Sequence, residues 1–234
     1  MAEIYLVRHG QASFGAADYD QLSALGAEQC SLLGAWFADC GLNIDQIVTG
    51  GMKRHLQSAD AFLSALPPSQ QPTIAPSIDE SFNEFNHREM LRRFDPELTD
   101  LDAVKRRLAD SDDEQAGFAQ IFAQSFGRWI GGQYDAEYSE PWPQFSQRCN
   151  AAVARIAENS TAQSTVVFTS VGAISAIVQK LLAIPDDTIH KLNLMMHNGG
   201  VTKLSAESGD VKPVYINSCG HFERSGVGEM VTQI

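Results

Sequence analysis

The sequence predicts an α/β fold, a mostly parallel sheet flanked by helices, with a helical insertion over one face. Three observations predict it. Short, wholly apolar runs occur at Ile4–Val7, Ile47–Thr49 and Val166–Thr169, the pattern of strands buried on both faces. Each run is followed by a stretch with apolar residues at helical spacing, so strand and helix alternate. Between residues 86 and 141 that rhythm stops and helical patterning takes over.

Taken in order, Ile4-Tyr5-Leu6-Val7 reads as the first strand. A helix is predicted from Leu22 to Phe37, with Leu22, Leu25, Leu32, Leu33 and Trp36 as its apolar positions and Ser23 as its N-cap. Ile47-Val48-Thr49 is the second strand. Gly50-Gly51 then opens a helix whose stripe is Met52, Leu56, Ala59, Leu63 and Leu66, offsets of four, three, four and three. Pro67, Pro68, Pro72 and Pro76 make the next stretch a loop. Two helices are expected in the insertion, around the acidic run Asp110 to Glu114, which reads as solvated surface. Trp142, Phe145, Cys149, Val153 and Ile156 mark a return to a core-facing helix. Val166–Thr169 is the third strand and feeds a helix carrying Ile174, Ile177, Val178, Leu181 and Leu182. Val201–Leu204 and Val214–Ile216 read as late strands. The 234 residues are read as one domain, 1–234, with the insertion at about 86–141.

Composition narrows the function classes. Asp and Glu number 29 against 17 Lys and Arg, a net charge of −12, which argues against nucleic-acid binding. No apolar run approaches the ~18 residues of a membrane span, and the first residues lack the basic and apolar regions of a signal peptide. Cys30, Cys40, Cys149 and Cys219 form no Cys-x-x-Cys pair and no zinc spacing, so reduced thiols in a cytoplasmic protein are expected. An acidic protein that handles an anion must gather its few cations in one place.

In an open parallel sheet, ligands sit beyond the carboxyl ends of the strands. Arg8-His9-Gly10 follows the first strand, Gly50-Gly51-Met52-Lys53-Arg54 the second and Ser170-Val171-Gly172 the third. Two arginines and a histidine converging on one edge describe an anion site. The planar guanidinium fork pairs two oxygens of a phosphate at once. Gly10 and Gly172 allow close backbone approach, and a helix starting near Gly172 offers N–H groups to an anion.

These residues resemble the histidine phosphatase superfamily, in its phosphoglycerate mutase-like branch. Leu6-Val7-Arg8-His9-Gly10 is similar to that family's signature. Leu22-Ser23-Ala24-Leu25-Gly26 with Gln29 resembles its Leu-Thr-x-x-Gly-x-x-Gln helix start, and Arg54-His55-Leu56-Gln57-Ser58-Ala59 its Arg-Ala-x-Gln-Thr-Ala. Asp79-Glu80-Ser81-Phe82-Asn83-Glu84 resembles the segment carrying the acidic proton donor, and Asn198-Gly199-Gly200-Val201-Thr202 also fits. The resemblance implies a phosphatase in which His9 takes the phosphoryl group as phosphohistidine, Arg8 and Arg54 clamp the phosphate, and Glu84 protonates the leaving oxygen. Gln11, Ser13, Ser170 and Gly172 are the expected substrate contacts. No metal and no cofactor is implied, because two guanidiniums can supply the charge that phosphoryl transfer needs. The implied partner is a phosphorylated small molecule or phosphoprotein; nothing specifies an oligomeric state.

The departures from the family pattern are equally concrete. Val171 stands where the family has a second histidine in Ser-His-Gly. Gln11-Ala12-Ser13-Phe14-Gly15 replaces the usual Glu-Thr or Glu-Ser, and Phe85-Asn86-His87-Arg88-Glu89 replaces Gly-x-Trp-Glu-Gly. They leave two alternatives beside the phosphatase: a degenerate member that binds a phosphorylated ligand without turnover, and a phosphoglycerate mutase. His87 and His221 are the candidates to stand in for the missing histidine. Arg92, Arg93, Lys105, Arg106 and Arg107 on the insertion read as a solvated helix face.

Overall fold

The computed structural model describes residues 2–13, 20–158, 162–224, 226 and 228–233. Phe14 and Gly15 lie outside the described residues. The strands are β1 (Ala2–Arg8), β2 (Gln46–Thr49), β3 (Ser77–Ile78), β4 (Ser164–Thr169), β5 (Val201–Glu207) and β6 (Asp210–Ser218). The helices are α1 (Ala24–Asp39), α2 (Lys53–Ala65), α3 (His87–Phe94), α4 (Leu101–Leu108), α5 (Glu114–Ile130), α6 (Trp142–Glu158), α7 (Val171–Leu182), α8 (Ile189–Met195) and α9 (Gly220–Arg224).

The sheet order is β3-β2-β4-β1-β5-β6. β3, β2, β4 and β1 run parallel, and the late hairpin β5-β6 adds two antiparallel strands. Side chains alternate across a strand. Ile4, Leu6 and Val167 accordingly enter one apolar cluster, with α5, α6 and α7, whereas Tyr5, Val7, Val166 and Phe168 enter another, with α1 and α2. Helices on both faces explain why these strands carry no polar alternation. Ser23 caps α1 by accepting from the Gly26 N–H, as its side chain predicts; Leu22 lies just outside the helix, bridged to Ala12.

The insertion differs from expectation in number. Three helices form, because Asp95-Pro96 ends α3 and α4 starts only at Leu101. Asn86, Asp100 and Asp113 each cap a helix by accepting a backbone N–H three residues on. The acidic run 110–114 is exposed, and so are Arg92, Arg93, Lys105, Arg106 and Arg107. β3, a two-residue edge strand, lacks any apolar run and so left no signal in the sequence.

The arrangement that matters for function is the central pair. Arg8 pairs in register with Thr169, and Thr49 with Phe168, so the chain leaves β1, β2 and β4 side by side. His9, Gly50 and Ser170 are therefore neighbours at one sheet edge. Gly10 is required there: a Cβ on it would lie 2.2 Å from the Gly26 carbonyl oxygen, so only glycine lets α1 start against the His9 turn.

Candidate active site

His9 is 5% exposed and sits directly beyond β1. Its backbone N–H donates to the Thr169 carbonyl, and its own carbonyl accepts from Gly199 N–H and Asn198 Nδ2. The ring is fixed at both nitrogens. Nδ1 lies 2.7 Å from the Gly10 carbonyl oxygen, which can only accept, so Nδ1 carries the proton. Nε2 then holds the lone pair, and it accepts from Arg54 Nε–H at 3.0 Å. Burial, with Arg54 and Arg8 beside it, holds the imidazole well below its ordinary pKa. The ring is neutral, with its basic nitrogen on the Arg54 guanidinium.

Arg54 and Arg8 are 4% and 8% exposed. Arg54 enters from the first turn of α2. Nη1 donates to Asp20 Oδ1 at 2.7 Å and Nη2 to Ser170 Oγ at 3.3 Å. Asp20 also accepts from the Lys53 N–H, so it holds both the start of α2 and the guanidinium. Arg8 Nη1 donates to the Met196 carbonyl at 2.5 Å. Two buried cations demand such fixed acceptors, since removing the partner of a buried charge costs ~3–5 kcal/mol.

Glu84 comes from the loop before α3, and that loop is tied down at several points. Arg148 donates to the carbonyls of Ser81 and Asn83 at 2.8 and 2.9 Å, and Thr169 Oγ1 donates to that of Phe82 at 2.6 Å. Phe85 is anchored among Trp129, Phe126 and Phe145. The Glu84 carboxylate accepts from the Gly172 and Phe85 N–H groups. Burial pushes its pKa up; Arg54, these two donors and Arg8 pull the other way and do not cancel it. A carboxyl so placed holds its proton more readily than a free one.

The other predicted contacts fall in different places. Ser170 sits between Arg54 and His55 of α2: its Oγ accepts from Arg54 and lies 2.6 Å from His55 Nε2. Gly172 gives its N–H to Glu84, so the start of α7 positions the acid; a Cβ there would lie 2.1 Å from Glu84 Oε1. Gln11 turns its amide to Ser23 Oγ, and Ser13 is placed by a backbone bond to Gln21; neither lines the cavity described next.

A cavity of about 230 Å³ opens from Arg8, His9, Arg54 and Glu84. Val171 lines it where the family pattern has histidine, and His87, at the start of α3, lines it too. Burial pushes His87 down to about 4, so it is neutral at pH 7. His221 is elsewhere, packed against Phe222 and Trp36. Reasoning from sequence passed over Asp20 and Arg148, and read His55 as structural or exposed; it is buried. His55 could have been found: it occupies an alanine position of the family motif, and its ring centre lies 5.7 Å from that of His9.

Among the described residues no cluster of three or more His, Cys, Asp or Glu is grouped to hold a metal ion. All four cysteines are unpaired. Burial pushes Cys30 up to about 11 and Cys149 to about 12, so neither is a thiolate.

The family profile described as the histidine phosphatase superfamily (branch 1) matches residues 4–115 and 95–218. The chain belongs to the histidine phosphatase superfamily. Its fold is that of solved superfamily members and relatives. YhfR of Bacillus stearothermophilus superposes with a TM-score of 0.68 at 17% identity, over 94% of this chain and 99% of that one. A phosphoglycerate mutase of Bacillus anthracis str. Sterne gives 0.63 at 18%, over 96% of each. A phosphoserine phosphatase of Entamoeba histolytica, in complex with 3-phosphoglyceric acid, gives 0.62 at 16%, over 94% and 99%. No curated protein matches the sequence. No helix among the described residues is long and apolar enough to cross a membrane.

Proposed function

We propose that this histidine phosphatase superfamily chain, read as one domain with its insertion at 86–141, is a metal-independent phosphomonoesterase working through a phosphohistidine on His9. The observation that carries this reading is the His9 ring: Nδ1 is committed to Gly10, and the Nε2 lone pair faces Arg54. Phosphoryl transfer depends on positioning and charge neutralisation. Arg8 and Arg54 bind the phosphoryl oxygens, and Arg54 Nε–H moves from Nε2 to an oxygen of the incoming group. The freed lone pair attacks phosphorus, the P–O bond to the alcohol breaks, and protonated Glu84 gives its proton to the leaving oxygen. Water then attacks phosphorus while the Glu84 carboxylate takes its proton; the N–P bond breaks and returns its electron pair to Nε2. The N–H groups that hold Glu84 favour its carboxylate form, and burial favours its acid form, which suits a group that must be both in turn.

The substrate is a phosphorylated small molecule or phosphoprotein. Unpaired cysteines support a cytoplasmic setting. Val171 favours a second reading, ligand binding without turnover, because it removes a donor from the phosphoryl site. Hydrolysis of a chromogenic phosphate ester in excess chelator separates the two. The first reading expects turnover that chelator leaves intact and His9→Ala abolishes. Equal rates for the natural chain and His9→Ala would establish the second, and loss in chelator restored by a divalent ion would overturn the mechanism.

A further inference from the structure

Beyond the phosphate end, the cavity changes character. Leu91 of α3, Val104 of α4, Phe118 and Phe122 of α5, Val171 of α7 and Leu194 of α8 form its walls. Phe118 and Phe122 stack nearly parallel, 18° apart, and the series continues to Phe126. The polar wall groups outside the phosphate end are the neutral ring of His87 and three amides, Gln115, Asn193 and Gln233. Arg8 and Arg54 are the lining cations among the described residues, and both are engaged at the phosphate end. The sequence outside the described residues adds neither Lys nor Arg.

We propose that this cavity selects phosphate monoesters whose alcohol carries a small apolar group, a single ring or short alkyl chain. The proposal rests on the phosphate-clamp reading of Arg8, His9 and Arg54. Three arguments lead there. A substrate with a carboxylate or a second phosphate beside the ester needs a further cation to replace its water, and the walls supply none. Apolar walls hold water poorly, so an apolar group that displaces it gains affinity. The size fits a small group: an engineered cavity of ~150 Å³ accommodates benzene, and this one has about 230 Å³ for the phosphoryl group and its substituent together. Val171 contributes on both counts, since it takes a polar donor from the rim and adds apolar wall where the ester oxygen meets its substituent.

The test uses phosphonates, whose P–C bond cannot be hydrolysed, so it reads binding whether or not the chain turns over. Phenylphosphonate, methylphosphonate and phosphonoacetate are titrated calorimetrically into the natural chain and Gln115→Lys. Gln115 is exposed at the cavity mouth, so the variant adds a cation without touching the core. Phenylphosphonate is expected to bind about tenfold or more tighter than methylphosphonate, as burial of a ring predicts, and phosphonoacetate no tighter than methylphosphonate. Gln115→Lys should raise affinity for phosphonoacetate alone. Phosphonoacetate binding tightest to the natural chain, no gain from the ring, or no binding of any of the three would overturn the proposal. Ring-selective binding in a chain that hydrolyses no monoester would sink the phosphatase reading and leave this one standing. Hydrolysis of 3-phosphoglycerate as efficient as that of phenyl phosphate would do the reverse.

Discussion

At the floor of the cavity, His9, Arg54 and Glu84 are held by hydrogen bonds at 2.7–3.3 Å to Gly10, Asp20, Ser170, Gly172 and Phe85. At its roof, Phe118, Phe122 and Leu91 are placed by packing, on helices whose connections follow no strand rhythm. The floor is polar, charged and fixed atom by atom; the roof is apolar and placed by side-chain packing. The difference separates two jobs. On the proposed function, chemistry at phosphorus needs donors within tenths of an ångström, and strand ends and helix starts converge to supply them. Choice of alcohol needs only a shape and a polarity, which packed helices supply.

Substitutions at floor and roof should therefore behave differently. The largest effect belongs to Arg54→Ala. It removes the proposed phosphate ligand and the donor on His9 Nε2 together, and kcat/KM on any monoester should fall by ~10²–10³. Vanadate affinity should fall in parallel by at least tenfold, at ~1.5–3 kcal/mol for each charged hydrogen bond. Unchanged vanadate affinity in a folded variant would remove Arg54 from the clamp.

Val171→His tests the boundary between the two regions. It restores a donor at the floor and takes apolar wall from the roof. Val171 lines the cavity, so the new ring would face it. Turnover of a small ester should rise by roughly tenfold or more, while selectivity for an aryl over a methyl ester should shrink. A folded variant slower than the natural chain would mean that another group already fills that role, and His87 would be mutated next.

How much of this was legible in the sequence follows the same division. The floor was readable because three apolar runs end in Arg8-His9, Gly50-Gly51 and Ser170, and parallel strands must exit on one edge. Glu84 was not readable from pattern, since its loop has no periodicity; only its likeness to a family segment marked it. Asp20 and Arg148 were invisible because their partners lie 34 and 65–67 residues away. The insertion's helices were visible as patterning, yet their number was misjudged at Asp95-Pro96. Nothing local says which face of α5 turns to the core and which to the cavity, because Phe118, Phe122 and Phe126 share one helical stripe that serves both.

The smallest effect concerns stability. Burial holds His9 and His55 well below their ordinary pKa and pushes His87 and His221 down to about 4. Between pH 6.5 and 4 the unfolded chain binds protons at these positions that the folded chain refuses. Stability is therefore greatest above pH 6.5 and falls as pH drops towards 4. The urea midpoint at pH 7 should exceed that at pH 5, and His221→Phe should flatten the slope. Since His221 is remote from the cavity, that variant should leave monoester turnover within twofold or so of the natural chain. A midpoint independent of pH over this range would contradict the neutral state assigned to the buried rings.

The central claim is that His9 Nε2 accepts the phosphoryl group. Its most direct test is rapid mixing of the natural chain with phenyl phosphate in chelator, an alkaline quench that preserves phosphohistidine, and peptide mass spectrometry. The account predicts an acid-labile phosphate on the peptide containing His9, absent from His9→Ala and formed no slower than phenol is released. Steady release of phenol with no phosphate on His9 at any quench time, or with phosphate on another residue, would contradict it.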